Sequence, residues 1–233
     1  MKKIIRKGKI LFGGGFLLIS LMIIFLMILA ILDEYSVFSI TNIITDLLLV
    51  GGSAIIGAFL LMSVFEEASN KKKVMHYTIL LIAFSYCLAL IITLLSNSSM
   101  LRHDMFIDEI DSFVLKKEIN IIPFNTIYDY IRKGFNNEIN IDIVISNLAG
   151  NFIMFMPFSF FISTLVTKIN TWKQFIIISV SIITIFEILQ LLLHAGAFDI
   201  DDIILNTAGA FIGYIICRWK PIQYILRKFY MID

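Results

Sequence analysis

Charged residues are scarce in this chain, and their scarcity excludes an ordinary soluble domain. Only 16% of the 233 residues are charged and 59% are hydrophobic, which gives a mean hydropathy of +0.90. A soluble domain is normally about one quarter charged and about half apolar. Long apolar runs in such a chain indicate membrane spans, each needing about 20 residues to cross roughly 30 Å of hydrocarbon.

The chain also has little net charge and only two cysteines. The formal net charge is +1, so bulk electrostatics give no reason to expect a nucleic-acid partner. The two cysteines, Cys87 and Cys217, lie within or at the end of apolar runs. We interpret them as packing residues rather than as a disulfide.

Familiar catalytic motifs are missing as well. The chain contains neither HExxH nor Gly-x-Ser-x-Gly, which excludes the best-known zinc-peptidase and serine-hydrolase signatures. The first apolar run, residues 10–32, continues into Asp33-Glu34-Tyr35 rather than into a small-residue cleavage pattern. We therefore expect a retained helix rather than a cleaved signal peptide.

What the sequence does contain is a series of long apolar segments. They predict an all-α polytopic membrane helix bundle, because lipid-exposed backbone must satisfy its own hydrogen bonds and no strand-like alternation is present. About six transmembrane helices are expected, at residues 10–32, 43–65, 74–95, 143–166, 174–194 and 202–217.

Lysine and arginine give the predicted orientation. They cluster before span one, between spans two and three, between spans four and five, and after span six. The positive-inside rule makes that side cytoplasmic, so both termini are predicted to be cytoplasmic and the 97–142 loop extracellular. Within the loop, apolar residues at helical spacing between 106 and 114 predict a short amphipathic helix.

Polar residues gather in the last three spans. On span five, Glu187, Gln190 and His194 share one helix face. On span six, a stripe at helical spacing runs from the predicted helix start toward the cytoplasm, whereas Asp201 points from another face. The residues of the stripe are Asp199, Asp202, Asn206, Gly209 and Gly213.

Span four adds amides at the same expected depth. Asn147 and Asn151 are four residues apart in its first turns, and Pro157 is predicted to kink the helix near mid-membrane. An ionisable residue inside a membrane suggests a functional site. We therefore predict an outer-leaflet polar pocket that binds a ligand through eight residues: Asn147, Asn151, Glu187, Gln190, Asp199, Asp201, Asp202 and Asn206.

These segments resemble a known family. "FEILQ" followed by "FDIDDIILNTAGAFIGY" is similar to the C-terminal signature of VanZ-like proteins, and "NLAGNFIMFMPFSFF" and "INIIPFNTIYDY" resemble their preceding segments. The resemblance covers roughly residues 74–218. Residues that match as motif or structural positions, outside the eight above, are Asn120, Pro123, Phe124, Gly150, Pro157, Gly209 and Gly213.

The resemblance also implies a domain division and a biological setting. It predicts a VanZ-like four-helix membrane domain in 69–220, with the extracellular loop 97–142. The two N-terminal helices in 1–68 lie outside the resemblance, and residues 221–233 are predicted to be a cytoplasmic tail. The family's name member is associated with low-level resistance to teicoplanin, a glycopeptide directed at cell-wall precursors. The expected location is the bacterial plasma membrane, and the expected partner is a membrane lipid, a cell-wall precursor or a lipopeptide.

The sequence departs from the family pattern at two places, and two other interpretations of the polar residues remain open. Ser159 stands where the family usually has glycine, and residues 195–197 lack a basic residue that many members carry. As a membrane-embedded enzyme acting on an envelope lipid or lipopeptide, the protein could use Glu187 as a general base with Asp202 opposite and His194 as a proton shuttle.

The same carboxylates, joined by Asp199, could instead hold Mg²⁺ or Ca²⁺, although the sequence names no cofactor. In the third interpretation, the amides and Glu187 hydrogen-bond one another and serve only to fix the bundle.

Overall fold

The computed structural model describes residues 2–32, 40–97, 119–166, 169, 171–193 and 195–232. In this part of the chain it contains nine helices and two very short strands. In chain order they are α1 (Lys2–Leu32), α2 (Ile40–Met62), α3 (Ala68–Asn97), β1 (Ile119–Asn120), α4 (Asn125–Phe135), α5 (Ile141–Met154), α6 (Met156–Leu165), α7 (Trp172–Leu192), β2 (Phe198–Asp199), α8 (Ile200–Arg218) and α9 (Lys220–Lys228).

Six stretches of helix are long and apolar enough to cross a membrane, which confirms the predicted all-α, multi-pass architecture. Five of them lie in α1, α2, α3, α7 and α8, and α5 with α6 forms the sixth. The sequence did not predict the small parallel pairing of β1 with β2, or helix α4. The predicted amphipathic helix at 106–114 lies outside the described residues.

The chain divides into two compact units, and residues 1–96 and 220–233 form the first. Within it α1 and α2 approach closely, since a Cβ atom on Gly57 would lie 2.8 Å from the carbonyl oxygen of Gly13. Ala54 and Ala58 are fully buried beside this contact. The small residues of span two therefore serve close packing between α1 and α2.

Other elements complete this first unit. Side chains of α3, namely Leu88, Ala89 and Ile92, join a buried apolar cluster with residues of α1 and α2. Helix α9 occupies the predicted tail, where the ring of Phe229 lies edge-on to Phe59 at 5.4 Å. The predicted division at residue 68 rests on sequence resemblance and stays a prediction.

Residues 97–219 form the second unit. Span four is broken at Phe155, because Pro157 begins a new helix and removes a backbone N–H from the ladder. The break brings the carbonyl oxygen of Phe152 so close to Gly209 that a Cβ atom there would overlap it.

One turn further along α8, Gly213 faces Met156 in the same way, and Ser159 donates a hydrogen bond to the Ala210 carbonyl. Span four and α8 therefore pack backbone to backbone. Because this contact fixes the position of α8 against α5, it also fixes the polar residues that these helices carry.

Candidate functional site

Asp199 connects three segments at the start of α8. As the N-cap residue, it accepts a hydrogen bond from the backbone N–H of Asp201 at 2.8 Å. Its other bonds reach far along the chain, from the amide of Asn120 at 2.9 Å and the hydroxyl of Thr126 at 2.5 Å. The β1–β2 pairing places Asn120 directly beside Asp199. This buried carboxylate therefore fastens the 119–126 segment to the turn between α7 and α8.

Asp201, which spacing places on another face of α8 than the stripe, is fully buried. Its carboxylate accepts bonds from two backbone N–H groups, that of Phe124 at 2.5 Å and that of Ile127 at 3.0 Å. Phe124 adopts a left-handed conformation at the start of α4 and offers no side-chain cap. Asp201 thus supplies the cap of α4 from 77 residues away, and the negative charge suits a helix N-terminus.

Glu187 lies behind this turn, in α7, with only 3% of its surface exposed. Its carboxylate is 3.5 Å from the backbone nitrogen of Asp199. With its amide nitrogen turned toward the carboxylate, Gln190 donates to both oxygens at 3.2 and 3.3 Å. On the predicted polar face of span five, Glu187 and Gln190 are therefore hydrogen-bonded to each other. His194 lies outside the described residues.

Span four contributes one of its two asparagines directly. The Asn151 amide donates to the carboxylate of Asp202, which joins α5 to α8. Asn147 bonds its own helix instead, donating to the carbonyl of Ile143 at 2.8 Å. Asn206 is buried in α8, and its side-chain oxygen has no hydrogen-bond partner among the residues that the structure describes. The network predicted by the purely structural interpretation is therefore only partly formed among these residues.

A cavity of about 170 Å³ opens beside these carboxylates. Three aspartates and two asparagines supply most of its polar lining, and α4 closes one side with Thr126 and Tyr130. The residues that line this acidic cavity are Thr126, Ile127, Tyr130, Asn147, Leu148, Asn151, Ala197, Asp199, Asp201, Asp202 and Leu205.

With this geometry established, comparison with known proteins is informative. Residues 77–222 match the sequence profile of the VanZ/LLP1 family, which is more than half of the chain. The chain belongs to the VanZ/LLP1 family. A curated relative, Protein VanZ of Enterococcus faecium, is 36% identical over 66 residues, which are 28% of this chain and 40% of the relative. No solved structure matches the chain.

Membership of the VanZ/LLP1 family confirms the resemblance identified from the sequence motifs. The matched region contains all the described residues of the acidic cavity. The match to Protein VanZ spans less than half of that protein's length, so it identifies a related portion of the two chains. Together with the six membrane-spanning helices, it indicates a multi-pass membrane protein.

In this VanZ/LLP1 protein, motif residues from distant segments meet at the cavity. Asn120 and Phe124 bond to the two aspartates, whereas Pro123 precedes the left-handed residue and is exposed. Pro157, Gly209 and Gly213 lie at the contact between span four and α8. Ser159, which replaces the usual glycine, donates its hydroxyl to that contact.

Sequence reasoning missed two polar residues of the cavity, Thr126 and Tyr130. Both lie in the "INIIPFNTIYDY" segment, which carried the family resemblance but gave no sign that it contacts the last two spans. The available signal was the helix start after Phe124, which lacks a capping side chain of its own. An uncapped helix start implies an acceptor elsewhere in the fold.

The carboxylates of the site are held by uncharged hydrogen-bond donors. In the described part of the chain, the recorded donors to Glu187, Asp199, Asp201 and Asp202 are all uncharged amide, hydroxyl or backbone groups. Nowhere in the described part of the chain are three or more His, Cys, Asp or Glu side chains placed to hold a metal ion. Much of the carboxylate capacity of Asp199 and Asp201 is used in holding the 119–127 segment.

Proposed function

We propose that this protein binds the polar end of an amphiphilic envelope ligand in the acidic cavity and thereby contributes to resistance to teicoplanin-type glycopeptides. The ligand is a membrane lipid, a lipid-linked cell-wall precursor or a lipopeptide. The proposed setting is the bacterial plasma membrane, with both termini cytoplasmic and the cavity on the outer side. One observation carries the proposal: a cavity lined by several carboxylates and amides beside membrane-spanning helices.

The size of the acidic cavity supports a small polar group rather than a whole drug molecule. Its volume of about 170 Å³ corresponds to about five or six water molecules at roughly 30 Å³ each. Pockets for drug-sized molecules generally measure about 300–1,000 Å³. A complete glycopeptide would therefore remain outside, whereas a terminal group of an amphiphile would fit.

The chemistry of the lining supports a ligand that donates hydrogen bonds. Among the residues that the structure describes, three aspartates line the cavity and no basic side chain does. Asp202 is the best placed of them for a ligand, because the donor recorded for it, Asn151, reaches only one of its oxygens. Bonds from a cationic donor to a carboxylate are roughly twice as strong as neutral ones. We therefore favour an ammonium or amide group as the bound end of the ligand.

The surroundings support an amphiphile in particular. The segment that closes the cavity displays large apolar side chains, with Ile121, Ile122 and Phe124 each more than 60% exposed. Such side chains beside a polar cavity would lie favourably against lipid chains. A ligand with one polar end and one apolar end would therefore meet both surfaces at once.

The test compares teicoplanin susceptibility of bacterial cells that carry an empty vector, the wild type or Asp202→Asn. Asparagine keeps the size of the side chain and its bond with Asn151 but removes the charge. We expect the wild type to raise the inhibitory concentration above that of the vector, and Asp202→Asn to return it toward the vector level. Purified Asp202→Asn should bind teicoplanin or a lipid-linked precursor about tenfold more weakly.

Asp142→Asn is the matched control, because Asp142 is an exposed carboxylate in the first turn of α5 and does not line the cavity. It should behave as the wild type does. Immunoblots of the membrane fraction would establish that the variants are present in equal amounts. Equal susceptibility of the wild type and Asp202→Asn, at equal abundance, would refute the proposal.

A further inference from the structure

A second pocket lies at the opposite end of the α7–α8 pair from the acidic cavity. It measures about 580 Å³ and forms where α7 begins and α8 ends. The described residues of its lining combine two cations with two aromatic rings and include no acidic side chain. The residues of this basic pocket are Thr171, Trp172, Lys173, Tyr214 and Arg218.

Both cations are held beside aromatic rings. The guanidinium carbon of Arg218 lies 4.8 Å from the centre of the Tyr214 ring, and one of its nitrogens donates to the Ile169 carbonyl at 3.4 Å. The ammonium nitrogen of Lys173 lies 5.7 Å from the centre of the Trp172 ring. These contacts restrict where the two charges can lie.

The wall of the basic pocket is rigid. Tyr214 is buried and stacks on Phe175, with ring centres 4.4 Å apart. Thr171 begins α7 with a reciprocal capping box, in which its hydroxyl and the side chain of Gln174 each accept a backbone N–H. The Tyr214 ring and the first turn of α7 are therefore held in place before any ligand binds.

The position of the basic pocket along the helices indicates which ligand it meets. Because α7 and α8 are adjacent spans, the start of one and the end of the other lie at the same membrane boundary. Trp172 is 53% exposed at this level, as is typical of tryptophan at the boundary between water and lipid. Lipid headgroups occupy that layer.

We propose that the basic pocket binds the phosphate headgroup of an anionic phospholipid. Lys173 and Arg218 would neutralise the phosphate, and the faces of Trp172 and Tyr214 would contact the glycerol and the first part of the acyl chains. The volume lies within the range of about 300–1,000 Å³ that is usual for small-molecule sites. The positive-inside prediction assigns this lipid to the cytoplasmic leaflet.

The test measures thermal unfolding and lipid binding of the purified full-length protein in detergent. Phosphatidylglycerol is compared with phosphatidylcholine of the same acyl chains and with inorganic phosphate. We expect phosphatidylglycerol alone to raise the midpoint temperature clearly. The double variant Lys173→Gln/Arg218→Gln should lose about 25-fold in affinity, since each of the two charges that contact the phosphate is expected to contribute about a factor of five.

Two further variants separate a specific site from general surface charge. Lys220→Gln/Lys228→Gln removes the same charge from exposed residues of α9 that do not line the pocket and should keep wild-type affinity. Lys173→Arg/Arg218→Lys keeps both charges and should bind within a few-fold of the wild type. Asp202→Asn should also bind normally, so failure of this inference is distinguishable from failure of the proposed function.

Several results would overturn the inference. Equal stabilisation by phosphatidylcholine would remove the role of the anionic charge, and equal stabilisation by inorganic phosphate would remove the role of the lipid. An equal loss of affinity in the α9 double variant would reduce the effect to bulk charge. Unchanged affinity in Lys173→Gln/Arg218→Gln would exclude the pocket altogether.

Discussion

The two compact units satisfy their buried polar groups in different ways. In the first unit, buried hydroxyls mostly bond within their own helix, as Thr78 does to the Val74 carbonyl and Ser85 to the Ile82 carbonyl. In the second unit, buried carboxylates bond to groups 73 to 79 residues away. Local bonds form in any helix, whereas the distant bonds require one particular tertiary arrangement.

This difference teaches where function is expected. The first unit uses inexpensive polar groups, since a serine or threonine hydroxyl finds a carbonyl one turn earlier. The second unit buries carboxylates, which cost much more unless each is hydrogen-bonded. Buried carboxylates in a membrane protein usually mark a functional site rather than packing alone. We therefore expect function at the acidic cavity.

The strongest test of this comparison is removal of Asp201. Asp201→Ala would leave the partly buried backbone N–H groups of Phe124 and Ile127 without their acceptor, at about 1–3 kcal/mol each. We expect the free energy of unfolding to fall by about 2–5 kcal/mol in a denaturing-detergent titration. Asp201→Asn, which keeps one acceptor oxygen, should fall by about half as much.

Loss of Asp201 should also release the start of α4. Limited trypsin cleavage at Arg132 and Lys133 would detect this release, because both lie in the last turn of α4. Asp142→Ala removes an exposed carboxylate and serves as the control. Equal stability and equal cleavage of the two alanine variants would contradict the capping role of Asp201.

Glycine substitutions give the next largest effect and compare helix contacts in both units. Gly209→Ala forces a methyl group onto the Phe152 carbonyl oxygen, and Gly57→Ala places one 2.8 Å from the Gly13 carbonyl oxygen. Overpacking of this kind costs about 1–3 kcal/mol. We expect Gly209→Ala to lose more stability than Gly57→Ala in the same titration.

Gly150→Ala is the matched control, because nothing lies within 4 Å of a Cβ atom at that position. It should be neutral or stabilising by up to about 1 kcal/mol, since alanine favours the helix. A Gly209→Ala variant as stable as Gly150→Ala would show that α8 does not pack against the carbonyl of Phe152.

The smallest expected effects come from two double-mutant cycles, one in each unit. The cycle between Asn151 and Asp202 should give a coupling energy of about 1.5 kcal/mol or more, because the acceptor is a carboxylate. The cycle between Ser20 and Ser53, whose hydroxyl oxygens are 2.7 Å apart, should give about 0.6 kcal/mol. Detergent unfolding of the single and double alanine variants measures both.

Equal coupling energies in the two cycles would remove the energetic distinction between the units. A coupling near zero for Asn151 and Asp202 would leave span four and α8 connected by packing and by the Ser159–Ala210 hydrogen bond. Either result would indicate that Asn151 serves to contact a ligand rather than to stabilise the fold.

The sequence by itself determined the class of protein and the approximate bounds of its six spans. Apolar length is a local property, so spans one to six could be read directly from composition. The break at Pro157 was equally local, because proline removes an N–H wherever it stands in a helix. The helix start at Asp199 carried a recognisable cap.

Only the tertiary structure decided which polar residues meet. Helical spacing placed Asp201 on a face away from the stripe, yet this residue is fully buried because the 119–127 segment folds over it. Spacing gave Asn147 and Asn151 equal roles, but only Asn151 reaches Asp202. Periodicity describes one helix at a time, whereas a contact across more than 70 residues depends on how distant segments pack.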